Sequence, residues 1–119
     1  MKLIIKRNQK AQTGIFGGHK GTIFILSYSV ELTPEEQALV AKYRVEDYPL
    51  MKVTGADVTM LTDTIALMSL KELTHGRTEE LKDIGVLLNT EEVIKDACKG
   101  FKIFLEVMAS FGGKEVFEF

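Results

Sequence analysis

The sequence predicts an α+β fold, in which a mainly antiparallel sheet of four to five strands carries two to three helices packed on one face. Alternating apolar residues from Thr22 to Leu32 are typical of a half-buried strand, and a shorter alternating segment precedes them. A long segment from Thr90 to Phe111 carries apolar residues at helical spacing. Hairpin-like strand pairs followed by a long helix favour an antiparallel sheet that is covered on one face.

Two strands and a turn-rich segment account for the first 32 residues. Lys2 to Lys6 is short, alternating and rich in β-branched residues, which favours a strand. Asn8 to Gly21 combines polar residues with four glycines, a composition typical of turns. Thr22 to Leu32 is the clearest strand. We expect the two strands to pair as an antiparallel ribbon that is joined by the glycine-rich loop.

A helix start follows the second strand. Thr33 can cap the helix, Pro34 suits its first position, and Glu36 can complete a capping box. This helix is predicted to run to about Arg44. Beyond it, Leu50 to Val53 is predicted to form a strand.

The central segment is ambiguous. Val58 to Leu61 and Thr64 to Met68 both carry strand-like residues. Ser69 is placed to cap a short helix from Leu70 to Thr74, which Gly76 can close in the left-handed conformation.

The C-terminal third contains the longest predicted element. Arg77 to Ile84 suits either a strand edge or a helix start. Thr90 is predicted to cap a helix that runs to Phe111, because two acidic residues follow it in the first turn. The apolar stripe of this helix consists of Ile94, Ala97, Phe101, Phe104, Leu105 and Met108. Lys114 to Phe119 alternates and is predicted to be a final strand.

The composition fits a single domain over residues 1–119, because 45% hydrophobic and 27% charged residues are ordinary globular values. One cysteine excludes an intrachain disulfide and favours a reducing compartment. No segment approaches the roughly 18 apolar residues of a membrane span, and the N-terminal apolar run is too short for a signal peptide. We therefore expect a cytoplasmic protein of prokaryotic type that has no membrane contact.

The net charge of −2 conceals a strong asymmetry. Residues 1–30 hold five basic residues and no acidic one, whereas the remainder holds ten basic and 17 acidic residues. Such a split indicates an anionic partner. Alternatively, the positive segment docks on the negative remainder of its own chain.

The loop at residues 13–22 is the main candidate site. Its spacing can be compared with the phosphate-binding loop G-x-x-x-x-G-K-[ST], but His19 stands at the second glycine and a strand follows the loop, so we reject the match. Consecutive glycines can still direct backbone N–H groups at an anion, or they serve only the hairpin turn. The predicted ligand-binding residues are Lys6, Arg7, Lys10, Gly17, Gly18, His19 and Lys20.

No motif specifies catalysis, a metal or a cofactor. His19, His75 and Cys98 have no metal-ligand spacing, so we predict neither a metal nor a cofactor. Cys98 lies within the long helix, which favours a buried apolar role. His75 precedes a helix-ending glycine, where its ring can contact the last carbonyls. Nucleic acid is a less favoured ligand, because the chain has no Trp and Phe16 is the only aromatic residue of the loop.

Three functional hypotheses stay open. The preferred one is a small non-enzymatic binding or interaction module that forms a homo-oligomer or meets a protein partner, because seven Phe and five Met can leave apolar surface exposed. The second is a binder of phosphate, nucleotide or nucleic-acid backbone that uses the basic N-terminal hairpin. The third is a small enzyme with a site at an oligomer interface, in which His19 or His75 is the acid–base group.

Overall fold

The computed structural model describes residues 1–13, 19–50, 65 and 67–119. Within these residues a three-stranded antiparallel sheet packs against three helices, which confirms the α+β class and the antiparallel sheet. The predicted count of four to five strands is not matched, since the described residues form three. The elements are β1 (Lys2–Thr13), β2 (His19–Glu31), α1 (Pro34–Tyr43), α2 (Leu70–His75), β3 (Arg77–Leu81) and α3 (Ile84–Ser110).

Strands β1 and β2 form a hairpin that is longer than predicted. Their antiparallel pairing begins with Lys2 opposite Glu31, and its register is regular as far as Gln12. The residues from Asn8 onward were predicted to form a turn. Pairing with the apolar strand β2 overrides their weak strand propensity, because strand formation depends on the neighbouring strand more than on intrinsic preference.

Strand β3 pairs with only the middle of β2, from Phe24 opposite Leu81 to Tyr28 opposite Arg77. This assigns the ambiguous segment after Gly76 to a strand. The sheet order is β1-β2-β3, so β2 is the central strand. Residues 10–13 and 19–23 extend past the end of β3, and we call this two-stranded part of the hairpin the outer ribbon.

The two short helices begin where the sequence predicts. Thr33 accepts a hydrogen bond from the Glu36 amide at 3.1 Å, and the Glu36 carboxylate accepts one from the Thr33 amide at 2.9 Å, so the capping box of α1 is confirmed. Ser69 caps α2 by accepting from the Glu72 amide at 3.2 Å. Gly76 ends α2 with a φ of 92°, a conformation that favours glycine.

Helix α3 begins at Ile84, six residues before the predicted start at Thr90. The residue that caps it is Asp83, whose carboxylate accepts a hydrogen bond from the Gly85 amide at 2.6 Å. Thr90 lies inside the helix, where its hydroxyl donates to the Val86 carbonyl at 2.7 Å. A threonine can satisfy its hydroxyl on the preceding helical turn as well as at a cap, and this ambiguity made the predicted start wrong.

The hydrophobic core lies between one face of the sheet and the apolar stripe of α3. Alternate residues of β2, namely Leu26, Tyr28 and Val30, are buried there. Of the predicted stripe of α3, four residues are buried and Phe104 packs against them partly exposed. The buried residues of the stripe are Ile94, Ala97, Phe101 and Leu105. The helices therefore cover one sheet face and leave the other open.

The predicted C-terminal strand is wrong. Residues 114–119 have no regular secondary structure, and all of them are exposed. The predicted strand at Val58 to Leu61 and most of that at Leu50 to Val53 lie outside the described residues. In the segment from Thr64 to Met68, the described residues Ile65, Leu67 and Met68 are not in a strand.

The fold is elongated, with principal extents of 66 × 31 × 20 Å. Its Cα radius of gyration is 17.8 Å, compared with the ~13.5 Å that is typical of a compact domain of this length. Among the described helices, none combines the length and the apolar character that a membrane crossing requires.

Candidate functional site

Arg7, one of the predicted anion ligands, contacts a buried carboxylate of its own chain. Arg7 lies opposite Leu26 on the core-facing side of β1, and its guanidinium contacts both carboxylate oxygens of Glu91 on α3. The bond from Nη2 to Oε2 is 2.8 Å long. Glu91 is only 2% exposed, and its hydrogen bond with Arg7 holds the pKa of that carboxyl below its usual value. Arg7 therefore holds β1 against α3 through an ion pair within the chain.

Lys10 also pairs within the chain. Its Nζ lies 2.9 Å from Oε1 of Glu80 on β3, and both side chains are about half exposed. This pair lies on the open face of the sheet, above Ile23 and Ile25 of β2. For Arg7 and Lys10, the structure thus favours docking of the positive hairpin on acidic residues of the same chain.

Lys6 differs from its neighbours, because no acidic group in the described part of the chain pairs with it. It is exposed on the open sheet face, opposite Ser27 of β2. Ser27 in turn lies opposite Thr78 of β3, and their hydroxyl oxygens are 3.0 Å apart. A lysine and two hydroxyl groups therefore form one row across the three strands.

A concavity of about 300 Å³ contains this row. We call it the open-face pocket and define it by the polar side chains of the open sheet face and of α2 that line it, which are Lys6, Ser27, Ser29, His75 and Thr78. None of the described residues that line it is acidic. The pocket forms because α2 ends beside β2, and Gly76 lets the chain turn back directly into β3.

His75 forms one wall of the open-face pocket. Its Nδ1 lies 2.8 Å from the Lys71 carbonyl oxygen, so the ring is held at the end of α2 as the sequence predicts. His75 also borders a shallow depression of about 340 Å³ that includes Glu72. The sequence pattern does not connect His75 with Lys6. The only signal for this surface is the pair of polar residues Ser27 and Ser29 on the face of β2 that Lys6 shares.

Residues 14–18 of the predicted glycine-rich loop lie outside the described residues, and they include Phe16, Gly17 and Gly18. His19 and Lys20 are the first two residues of β2. Anion binding by this loop stays a prediction.

Cys98 is partly buried and packs against the core. Burial raises the pKa of its thiol to about 11, so the thiolate is scarce at neutral pH. The described residues contain no group of three or more His, Cys, Asp or Glu side chains that is arranged to hold a metal ion.

A larger groove of about 740 Å³ lies between α1, α2 and the end of β2. Val30, Val40 and Leu70 form its apolar part, and Glu46 and Asp47 lie at its edge. One carboxylate oxygen of Glu46 is buried without a hydrogen-bond partner in the described structure.

An exposed apolar surface runs along the C-terminal half of α3. We define the apolar strip as Ile103, Val107 and Phe111, which are 60%, 49% and 60% exposed. The ring of Phe111 packs edge-on against Tyr43 of α1, with ring centroids 6.4 Å apart. Val116 and Phe117 follow in the chain and are more than 70% exposed.

Comparison with known proteins assigns no family to this chain. No family model matches it, no curated protein matches its sequence, and no solved structure matches its fold at a significant level.

Proposed function

We propose that this protein is a non-enzymatic interaction module that assembles with a second copy of itself through the apolar strip. The observation that carries the proposal is the exposure of Ile103 and Val107 on α3 and of Phe111 at its C-cap. Contiguous apolar surface of this kind marks protein interaction sites more often than it marks ordinary surface.

The apolar strip is a second apolar face of α3, distinct from the stripe that fills the core. Residues four positions apart lie on the same side of a helix, so Ile103, Val107 and Phe111 are neighbours. Phe101 and Leu105 on the other side are buried. A helix that is apolar on two sides is better suited to lie between two packed layers than at the surface of a monomer.

The exposed apolar side chains would supply part of an interface. Aromatic side chains can each bury roughly 150–250 Å², and a standard interface buries roughly 800 Å² per partner. Ile103, Val107 and Phe111 would form the centre of the contact, and the exposed Val116 and Phe117 follow them in the chain.

The symmetry of the strip supports a second copy as the occupant. Two α3 helices that pair antiparallel around Val107, the middle of the strip, bring Ile103 of one copy opposite Phe111 of the other. Such two-fold pairing makes one surface complementary to itself.

The test is the molar mass of the protein in solution, measured by light scattering after size-exclusion chromatography. We expect a dimer for the wild-type chain and a monomer for the Ile103→Glu, Val107→Glu double variant, because buried charge opposes the apolar contact. Leu88→Glu is the matched control, since Leu88 is an exposed apolar residue of α3 outside the strip. A wild-type chain that stays monomeric at the highest concentration reached would refute the proposal.

A further inference from the structure

We propose that the open-face pocket binds a phosphate group, either as the free ion or as the phosphate of a small monoester. This ligand site lies on the sheet face opposite the helices, so it is separate from the apolar strip and goes beyond the proposed assembly.

The sheet register brings the polar side chains of the pocket together. Lys6, Ser27 and Thr78 lie opposite one another on three adjacent strands. Adjacent strands are about 4.8 Å apart, so this row spans roughly 10 Å. Ser29 lies two residues along β2 from Ser27, which places it in the next row of the same face.

Hydroxyl groups form the floor of the pocket. Ser27 and Thr78 share one hydrogen bond of 3.0 Å, which uses one of their two O–H donors and leaves the other for a ligand. Ser29 adds a further hydroxyl. Phosphate oxygens accept such hydrogen bonds, and a neutral hydroxyl floor lets the anion approach without repulsion.

Lys6 supplies the positive charge of the pocket, because it pairs with no carboxylate in the described structure. Arg77 lies opposite Tyr28 and pairs with Glu79, so its guanidinium is on the core-facing side of β3 and outside the pocket. The ring of His75 borders the pocket, where its Nδ1 is anchored at the Lys71 carbonyl. Lys6 would contribute a charge-assisted hydrogen bond to a bound phosphate.

The composition of the pocket selects against other ligand classes. The described lining has no acidic group, so nothing in it neutralises a cation. The volume of about 300 Å³ lies at the lower end of small-molecule sites, which suits one phosphate group better than a whole nucleotide.

The pocket is also distinct from the predicted glycine-rich loop. Lys6 and Thr13 are seven residues apart on β1, which corresponds to roughly 23 Å along a strand. A ligand bound beside Lys6 is therefore distant from Thr13, where the predicted loop begins.

The test is a titration of the ¹⁵N-labelled protein with inorganic phosphate, followed by NMR at constant ionic strength. We expect saturable shifts centred on the amides of Ser27, Ser29 and Thr78. Loss of a charge-assisted hydrogen bond costs about tenfold in affinity, so Lys6→Ala should weaken binding by about that factor. A parallel titration with glycerol phosphate decides between the two sources, because tighter binding of the ester indicates a monoester ligand and equal binding indicates the free ion.

Lys2→Ala is the matched control. Lys2 is an exposed lysine on the same face of β1 but lies opposite Glu31, so its removal should leave the affinity unchanged. Shifts that grow linearly without saturation, or a Lys6→Ala variant that binds as well as the Lys2→Ala variant, would overturn the proposal. The Ile103→Glu, Val107→Glu variant should bind phosphate like the wild type, so that failure of assembly and failure of phosphate binding are separate results.

Discussion

Glu91 shows how one residue can decide between two interpretations of a charge pattern. In the sequence it lies in an acidic pair, Glu91-Glu92, which is typical of the first turn of a helix. In the structure Glu91 lies in the second turn of α3, and its side chain turns into the protein and is buried beneath the guanidinium of Arg7. A buried carboxylate without its cation is strongly unfavourable, so this contact fixes the hairpin against α3.

Removal of Arg7 should therefore destabilise the protein at neutral pH. We expect Arg7→Ala to lower the midpoint of thermal unfolding by about 4 °C or more, because the buried Glu91 charge loses its partner. Lys10→Ala is the control, since the exposed pair of Lys10 and Glu80 contributes less than about 1 kcal/mol. Equal midpoints for the two variants would contradict the structural role of Arg7.

The effect should depend on pH with a defined sign. The folded state lowers the pKa of Glu91 from the ordinary 4.5, so the contribution of the pair is present above that pH and is lost as the pH falls through the lowered value. We expect the wild-type chain and Arg7→Ala to converge in stability in acid. Thermal unfolding measured from pH 7 downward tests this, and a difference that stays constant would count against it.

Burial of the Tyr28 hydroxyl predicts a pH effect of the opposite sign, in which stability is lost as the pH rises. Its hydroxyl is buried without a hydrogen-bond partner in the described structure, and burial, with the negative charge of Glu79, raises its pKa from 10.0 to about 12. A raised pKa contributes stability below pH 10 that is lost as the pH rises through 12. Tyr28→Phe should change stability at pH 7 by less than about 1 kcal/mol, because no hydrogen bond is lost. Chemical denaturation of both proteins should then show the Phe variant losing less stability between pH 10 and 12, and equal losses would contradict this origin.

At the scale of elements, the start of α3 allows two candidate N-cap residues, Asp83 and Thr90, to be compared directly. Asp83 caps the helix in the structure, whereas Thr90 lies one and a half turns inside it. We expect Asp83→Ala to cost about 1 kcal/mol of unfolding free energy, because an N-cap bond is lost. Thr90→Ala should stay within about 0.5 kcal/mol of the wild type. Urea denaturation of the two variants measures both free energies of unfolding. A larger loss of unfolding free energy for Thr90→Ala than for Asp83→Ala would indicate that the helix begins at Thr90, as the sequence predicts.

The elements that were predicted well carry local signals that act on their own backbone. The capping box at Thr33, the cap at Ser69 and the alternation of β2 each specify structure within a few residues. The elements that were predicted poorly depend on distant partners. The outer half of β1 becomes a strand only because β2 lies beside it, and Lys114 to Phe119 alternates but pairs with no strand among the described residues.

The residues of the candidate site divide in the same way, into one with a signal in the local sequence and others that only tertiary contacts bring together. The sequence singles out Lys6 through the charge asymmetry of the N-terminal segment. It does not show that Ser27, Thr78 and His75 join Lys6, because β3 and α2 reach the same sheet face only through tertiary pairing. It also cannot separate Lys6 from Arg7, since adjacent strand residues point to opposite faces and the covered face is decided by the helices.

At the scale of the whole molecule, the elongated shape is itself measurable. A radius of gyration of 17.8 Å exceeds the ~13.5 Å of a compact chain of this length, because the outer ribbon extends past β3. Small-angle X-ray scattering of the Ile103→Glu, Val107→Glu variant, which we expect to be monomeric, should give a value closer to the larger figure. A radius near the compact value would show that the hairpin folds back onto the body.

The sheet has three strands beside the core but only two in the outer ribbon, and this difference affects how easily each part unfolds locally. A two-stranded hairpin alone is marginally stable in water, whereas the pairing of β2 with β3 is backed by the core. We therefore expect amide protons around Ala11 and Thr22 to exchange with solvent through small fraying events, while those of Leu26 and Tyr28 exchange only when the body of the protein unfolds. Opening of the outer ribbon should then leave the pairing around Lys6 and Ser27 intact.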